Sequence, residues 1–224
     1  LLPLGQRPIL EIIVSQLRDR GFTDITVAVG YLGHLIEAYF GDGRRFGVHM
    51  RYSYEDAPLG TAGPLTLISG LDQPFLAMNG DLLTDLDYSD LYRYHLEQQA
   101  AVTVALYTKE VKIDLGVLQV NQRHEVEKYT EKPTYTYTVS MGIYVIDPVA
   151  LRYIPRGQRF NFPDLVQKLL EEDQKISGYE FGGQWLDISR PEDYARAAES
   201  FLKQAELPVT APTSVPALEL QIAG

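Results

Sequence analysis

Cysteine is absent from this chain of 224 residues. That excludes disulfides, thiolate zinc sites and cysteine nucleophiles together. It also fits a reducing compartment, and a cytoplasmic protein is expected. Positive charge is scarce as well: 20 Lys and Arg stand against 30 Asp and Glu, a formal net charge of -10. No Lys/Arg cluster stands out, so the basic footprint of a nucleic-acid binder is missing. Polyphosphates stay open as ligands, held locally by a few cations, backbone amides and Mg²⁺. Long apolar runs are missing too. None approaches the roughly 20 residues of a membrane-spanning helix, and no secretory signal is visible, so no membrane partner is expected. The four histidines, His34, His49, His95 and His124, lack metal-ligand spacing. What is present is an ordinary globular composition, 45% hydrophobic and 22% charged, in a length that suits one large domain.

Helical and strand signals alternate through the first half. Ile9, Ile12, Ile13 and Leu17 recur at helical spacing after Pro8, and Gly21 supplies a stop. The run Ile25 to Val29 reads as a buried strand, followed by a short helix near Leu32 to Tyr39 and a strand around Val48 to Tyr52. A helix from about Thr61 to Ile68 and a strand over Phe75 to Met78 come next, then a helix through Leu91 and Leu96 for which Ser89 is a plausible cap. This alternation predicts an α/β fold with a parallel sheet. After Ala101 the pattern changes to strands at Val102 to Tyr107, Gly116 to Val120, Val126 to Tyr129 and Val139 to Ile146, an antiparallel or mixed addition. Helices are predicted over Phe162 to Leu170 and from Pro191 onward, each with proline in its first turn. From about Ala205 the chain is rich in Pro, Thr, Val and Ala and reads as an extended or disordered tail. The expected domains are therefore 1–204 and a tail over 205–224.

The richest chemistry lies at Asn79-Gly80-Asp81, where a short apolar strand ends. Ligands of α/β sheets collect outside the carboxyl ends of the strands. An aspartate there, after a glycine that lets backbone come close, suits a divalent metal over phosphates. Asp after Gly is also a common turn or cap residue. A second aspartate, Asp187, leaves the apolar segment Trp185-Leu186-Asp187-Ile188. The loop from Glu55 to Gly63 lies between a strand and a helix, with Gly60 permitting close approach and Thr61 able to cap the helix after it. Glu131-Lys132-Pro133 closes a strand: either a solvated loop stiffened by proline, or a pair in which Lys132 neutralises a phosphate and Glu131 accepts from hydroxyls.

Taken in order, seven segments carry a resemblance: Leu1 to Leu10, Pro58-Leu59-Gly60-Thr61-Ala62-Gly63, Asn79-Gly80-Asp81, Asp114-Leu115-Gly116-Val117, Glu131-Lys132-Pro133, Ser140 to Tyr144 and Trp185 to Ile188. Together they resemble the sugar-1-phosphate nucleotidyltransferase family, and most closely its mannose-1-phosphate guanylyltransferases. The resemblance implies a Rossmann-like three-layer α/β fold around a mostly parallel central mixed sheet. It implies transfer of a nucleotidyl group from a nucleoside triphosphate to a sugar 1-phosphate, with GTP favoured, giving a nucleotide-sugar and pyrophosphate. Asp81 and Asp187 then match Mg²⁺ ligands, and Lys132 joins them as a catalytic residue. Glu55, Leu59, Gly60, Asn79 and Gly80 match the nucleotide side of the cleft. Gly116, Glu131, Lys132 and Gly142 match the sugar-phosphate side.

The family also carries a Gly-rich loop with a Thr-Arg pair after its first strand, then a basic residue; none of these is in this sequence, so the domain over 1–204 is expected to lack the family's first strand and Gly-rich loop. Because every later motif is intact, and the chain opens without methionine, the expectation is that it begins inside a longer enzyme. The alternatives are a non-catalytic homologue that binds nucleotide-sugars and a uridylyl- or thymidylyltransferase for another hexose or heptose. The 15 tyrosines leave room for a homo-oligomer.

Overall fold

The computed structural model of the protein describes residues 2–204 and 219–223. A small hairpin of β1 (Pro3–Leu4) and β2 (Arg7–Pro8) leads directly into α1 (Ile9–Asp19). Ile9, Ile12, Ile13 and Leu17 lie on one stripe of α1 and are all buried. Each contributes about 1.5–3 kcal/mol by leaving water. That docking holds a helix whose 11 residues would be marginal in isolation.

The chain continues through β3 (Asp24–Val29), α2 (Gly33–Phe40), β4 (His49–Tyr54), β5 (Phe75–Asn79), β6 (Leu82–Thr84) and α3 (Tyr88–Gln98). Four strands succeed them: β7 (Val102–Lys112), β8 (Val117–Val120), β9 (Val126–Thr130) and β10 (Thr134–Ile146). Then come α4 (Phe162–Glu171), β11 (Ile176–Phe181), β12 (Trp185–Asp187), α5 (Pro191–Gln204) and β13 (Glu219–Ala223).

Seven strands form the main sheet in the order β11-β7-β10-β5-β13-β3-β4. Only the two pairings made by β10 are antiparallel, so β10 alone runs against the other six. The predicted α/β architecture with a mostly parallel mixed sheet is therefore observed. Its three layers arise from the side-chain period of two along each strand. In β5, Leu76 and Met78 enter the core shared with α1 and α3, while Phe75 and Ala77 enter the core shared with α4. Ile143 and Val145 of β10 join the first, Tyr144 and Ile146 the second. Both faces are covered, which is why these strands read as continuous apolar runs.

Four local readings differ from the structure. The segment predicted as a helix from Thr61 to Ile68 forms only a 3-10 turn over Gly63–Leu67. The cap of α3 is Asp87, whose carboxylate accepts from the amides of Ser89 and Asp90, while the Ser89 hydroxyl donates to the Arg20 carbonyl. The strand β11 has no counterpart in the sequence reading, because Gly178 and Glu180 interrupt its apolar pattern. Finally, of the tail expected over 205–224, residues 205–218 and 224 lie outside the described residues, but Glu219–Ala223 run as β13 in the middle of the sheet.

One buried titratable group belongs to the scaffold. His95 of α3 is 2% exposed, with Nδ1 2.8 Å from the Thr103 hydroxyl. Burial lowers its pKa below the ordinary histidine value, and the negative charge of Asp147 opposes this in part.

Candidate active site

Because β3, β4 and β5 are parallel, their carboxyl ends leave the sheet at one edge. Gly30, Glu55 and Asn79-Gly80-Asp81 stand at or just beyond those ends. After Asp81 the chain turns into β6, which pairs antiparallel with β12 and sets Asp187 opposite Leu82. The Ile188 amide donates to the Asp81 carbonyl at 2.9 Å. Two aspartates far apart in sequence are thereby brought side by side. The Asp81 carboxyl is half-buried, and its pKa is raised, first by desolvation and then by the charge of Asp187, with its own backbone amide opposing. Like charges on buried oxygens favour a cation between them.

Asp187 is the more supported of the two. Its Oδ1 accepts from the Ser189 hydroxyl at 2.6 Å and the Ser189 amide at 3.2 Å, and its Oδ2 lies 3.7 Å from Arg190 Nε. The strand that carries it is tied to the sheet by Trp185, whose indole N–H donates to the Met141 carbonyl at 3.1 Å. Among the described residues no cluster of three or more His, Cys, Asp or Glu side chains converges as a closed metal site. Mg²⁺ does not require one, since it is usually held by one or two carboxylates plus waters and substrate phosphates. The hard oxygen donors of Asp81 and Asp187 fit that pattern.

Gly142 lies where β10 is irregular, within a register shift from Ser140 to Tyr144. Its φ is +75°, and a Cβ there would stand 3.0 Å from Asn79 Nδ2. The glycine therefore makes room for the Asn79 side chain at the edge of the site, and the structure brings these two predicted residues together.

The loop expected to meet the nucleotide is organised from within. Glu55 Oε2 accepts from the Leu59 amide at 3.0 Å, and Leu59 itself is buried, with its carbonyl accepting from the Phe160 amide. Gly60 has φ +77°, and a Cβ would come within 2.5 Å of Asn161 Oδ1. Thr61 does not cap a helix directly after it, as its position suggests; its hydroxyl accepts from the Phe162 amide at 3.0 Å and caps α4. Asn161 answers by accepting from the Thr61 amide. The loop is thus clasped to the start of a helix about a hundred residues away. Sequence reading missed this clasp, because a cap bond between distant segments leaves no local spacing to find.

The residues expected on the sugar-phosphate side sit on a separate arm. Glu131 accepts from the Tyr129 hydroxyl at 2.5 Å, and the Tyr129 ring covers Gly116, where a Cβ would lie 2.3 Å from its oxygen. Gly116, Tyr129 and Glu131 form one cluster, and Tyr129 is the member that sequence reading left out. Lys132 is exposed, makes no ion pair or hydrogen bond among the described residues, and holds φ at +43°. A non-glycine residue with positive φ is uncommon, and more so just before proline. Among the described residues no hydrogen bond or ion pair joins this cluster to Asp81 or Asp187. A separate cavity of about 720 Å³ runs along α1, between Arg7, Glu11, Arg18, Tyr39 and Arg45, and contains none of the predicted site residues.

The nucleotidyl transferase family matches residues 1–204. A UTP--glucose-1-phosphate uridylyltransferase of Synechocystis sp. is 32% identical, over 91% of this chain and 58% of that protein. A mannose-1-phosphate guanylyltransferase of Mycobacterium tuberculosis is 29% identical, again over 91% and 58%. The chain thus spans under two thirds of the length of these relatives. Among solved structures, a putative glucose-1-phosphate thymidylyltransferase of Bacillus anthracis superposes with a TM-score of 0.70 at 22% identity, covering 94% of this chain and 87% of that one. HddC of Yersinia pseudotuberculosis gives 0.69 at 21% identity, covering 89% and 88%. These last two share the fold.

Proposed function

Because this chain belongs to the nucleotidyl transferase family, we propose that it joins a nucleoside triphosphate to a sugar 1-phosphate, releasing pyrophosphate. The observation that carries the reading is the pair Asp81 and Asp187, set side by side at the carboxyl edge of the sheet.

The reaction needs the sugar phosphate oxygen to attack the α-phosphorus in line with the departing pyrophosphate. Positioning and charge stabilisation supply most of the catalysis in such transfers. Asp81 and Asp187 would hold Mg²⁺, which when bound neutralises charge on the phosphates. Ser189 keeps the Asp187 carboxylate fixed in orientation. Lys132 offers an unpaired ammonium for the attacking phosphate, on a backbone already bent into place. Glu131 and the backbone beside Gly116 face hydroxyls of the sugar. Asn79, seated over Gly142, borders the nucleotide, and the loop Glu55 to Gly60 meets the base with backbone already ordered by the Leu59 amide. No general base is required, because a phosphate monoester is anionic at neutral pH.

Guanylyl transfer to mannose 1-phosphate, giving GDP-mannose, is the leading substrate pair. It is supported by seven relatives named for that activity, at 26–30% identity. The uridylyltransferase relative makes UTP with glucose 1-phosphate the pair to test against it. The experiment is pyrophosphate release with Mg²⁺ by the full-length protein, crossing GTP, UTP, dTTP, CTP and ATP with mannose, glucose, N-acetylglucosamine and heptose 1-phosphates. One preferred pair is expected. Silence across the matrix with nucleotide-sugar binding retained refutes catalysis.

A further inference from the structure

We infer that the cavity along α1, which holds none of the candidate active-site residues, is a second binding site whose ligand is a phosphorylated sugar. Its volume of about 720 Å³ lies within the range of small-molecule sites, roughly 300–1,000 Å³. One wall is the polar stripe of α1, where Glu11, Ser15 and Arg18 follow at helical spacing. The other is Tyr39 of α2 with Arg45 and Phe46 of the short turn after it. Arg18 is neutralised by Asp19, 2.8 Å away. Arg7 meets Glu11 only at 3.7 Å, and Arg45 has no carboxylate partner among the described residues. Arg45 is nevertheless held in place. Its guanidinium carbon lies 4.6 Å from the Phe46 ring centre and 5.3 Å from that of Tyr39, and Nη2 donates to the Tyr39 carbonyl at 2.6 Å. Arg45 and Arg7 both reach the Tyr39 hydroxyl: its pKa is raised, first by its hydrogen bond to Glu11, and these two positive charges oppose the rise. Two arginines thus share one carboxylate, and one positive charge is left over on a chain of net charge -10. Guanidinium groups fixed in this way suit the oxygens of a phosphate.

The remaining polar lining calls for hydroxyl groups. Gln16 gives its Nε2 donor to the Thr84 carbonyl at 3.0 Å, while its Oε1 is buried with no partner among the described residues. A buried acceptor left without a donor is costly, and a bound hydroxyl removes that cost. Asp19 engages Arg18 through Oδ1, which leaves Oδ2 to accept, and Glu11 lines the same space. Cations for a phosphate and acceptors for hydroxyls in one cavity fit a sugar ester better than a bare anion or an apolar molecule.

Calorimetric titration of the full-length protein tests this without Mg²⁺ or nucleoside triphosphate, so it does not depend on the proposed reaction. The probe is glucose 6-phosphate, which has no phosphate at C1 and so cannot be the acceptor in that reaction. Saturable binding is expected, at least about tenfold tighter than that of inorganic phosphate, with glucose alone silent. Arg45→Gln and Arg7→Gln should each weaken it at least about tenfold, because each removes a charge-assisted hydrogen bond. Both side chains are exposed, so both variants should keep the parent melting temperature. Lys132→Ala should bind the probe as the unaltered protein does. Absence of saturable binding overturns the inference, and so does binding that both arginine variants retain in full. Binding lost in Lys132→Ala but kept in the arginine variants places the probe at the candidate active site and overturns it too. Inorganic phosphate binding as tightly as glucose 6-phosphate overturns the assignment of a sugar.

Discussion

Replacing Gly142 with alanine isolates the contact between β10 and Asn79 at the end of β5. At φ +75° the backbone cost of any L side chain is about 1–2 kcal/mol. Gly70, at φ +85° with nothing within 4 Å of an added Cβ, incurs the same conformational cost and no other. Gly70→Ala is therefore the reference, and for a domain of this size it should lower the melting temperature by roughly 2–8 °C. In Gly142→Ala the methyl would stand 3.0 Å from Asn79 Nδ2 and 3.2 Å from Leu82 Cδ1, so both side chains must give way by a few tenths of an ångström. Overpacking of that kind adds about 1 kcal/mol or more. Asn79 immediately precedes Gly80-Asp81, and displacement there is expected to lower turnover by about 10- to 100-fold. Thermal melts of the two variants, with pyrophosphate release under identical conditions, check both parts. Equal melting temperatures with unchanged turnover in Gly142→Ala would refute the packing argument.

Three further outcomes are expected. Asp81→Asn should abolish Mg²⁺-dependent turnover while keeping or slightly raising the melting temperature, since it relieves a desolvated charge beside Asp187; near-normal turnover sinks the metal assignment. Lys132→Ala should raise the KM for sugar phosphate at least about tenfold, one charge-assisted hydrogen bond being worth about 1.5–3 kcal/mol. Its melting temperature should be unchanged, because the side chain is exposed and unpaired, and an effect confined to the triphosphate would mean the role is misassigned. Burial depresses the pKa of His95 in the folded state, so the unfolded chain binds more protons between that value and about 6.5. The stability contributed is full above about pH 6.5 and is lost as pH falls below it. Urea melts at pH 7.5 and 5.5 should show this loss, and His95→Gln should flatten it; an identical pH slope in the variant would exclude His95 as the cause.

Much of the parallel core is legible in the sequence, because runs such as Ile25 to Val29 and Phe75 to Met78 must be apolar on both faces when both are covered. Asp81 is legible from its place after such a run. Its pairing with Asp187 comes only from the order of motifs, since β6 and β12 are three-residue strands whose contact no local pattern encodes. Thr61 and Ser89 mislead for a shared reason: both have cap chemistry, but tertiary partners decide what a hydroxyl bonds. Thr61 serves a helix that begins at Phe162, and Ser89 yields the cap to the nearby Asp87. The strand at Glu219–Ala223 is hidden because five residues beside a proline-containing stretch give little pattern, and its partners lie more than 140 residues away.

The length of β10 has a geometric consequence for the segment just before it, which carries Glu131 and Lys132. From Thr134 to the irregularity at Gly142 the strand takes eight steps, a reach of at most about 26 Å at roughly 3.3 Å per residue. Over a lever of that length, a change of angle of about 10° at the bulge moves the tip by about 4–5 Å, roughly the width of a hydroxyl and its hydrogen-bond partner. The register shift between Ser140 and Tyr144 therefore sets the direction of the arm shared by β10 and β7, just beyond whose tip Lys132 stands.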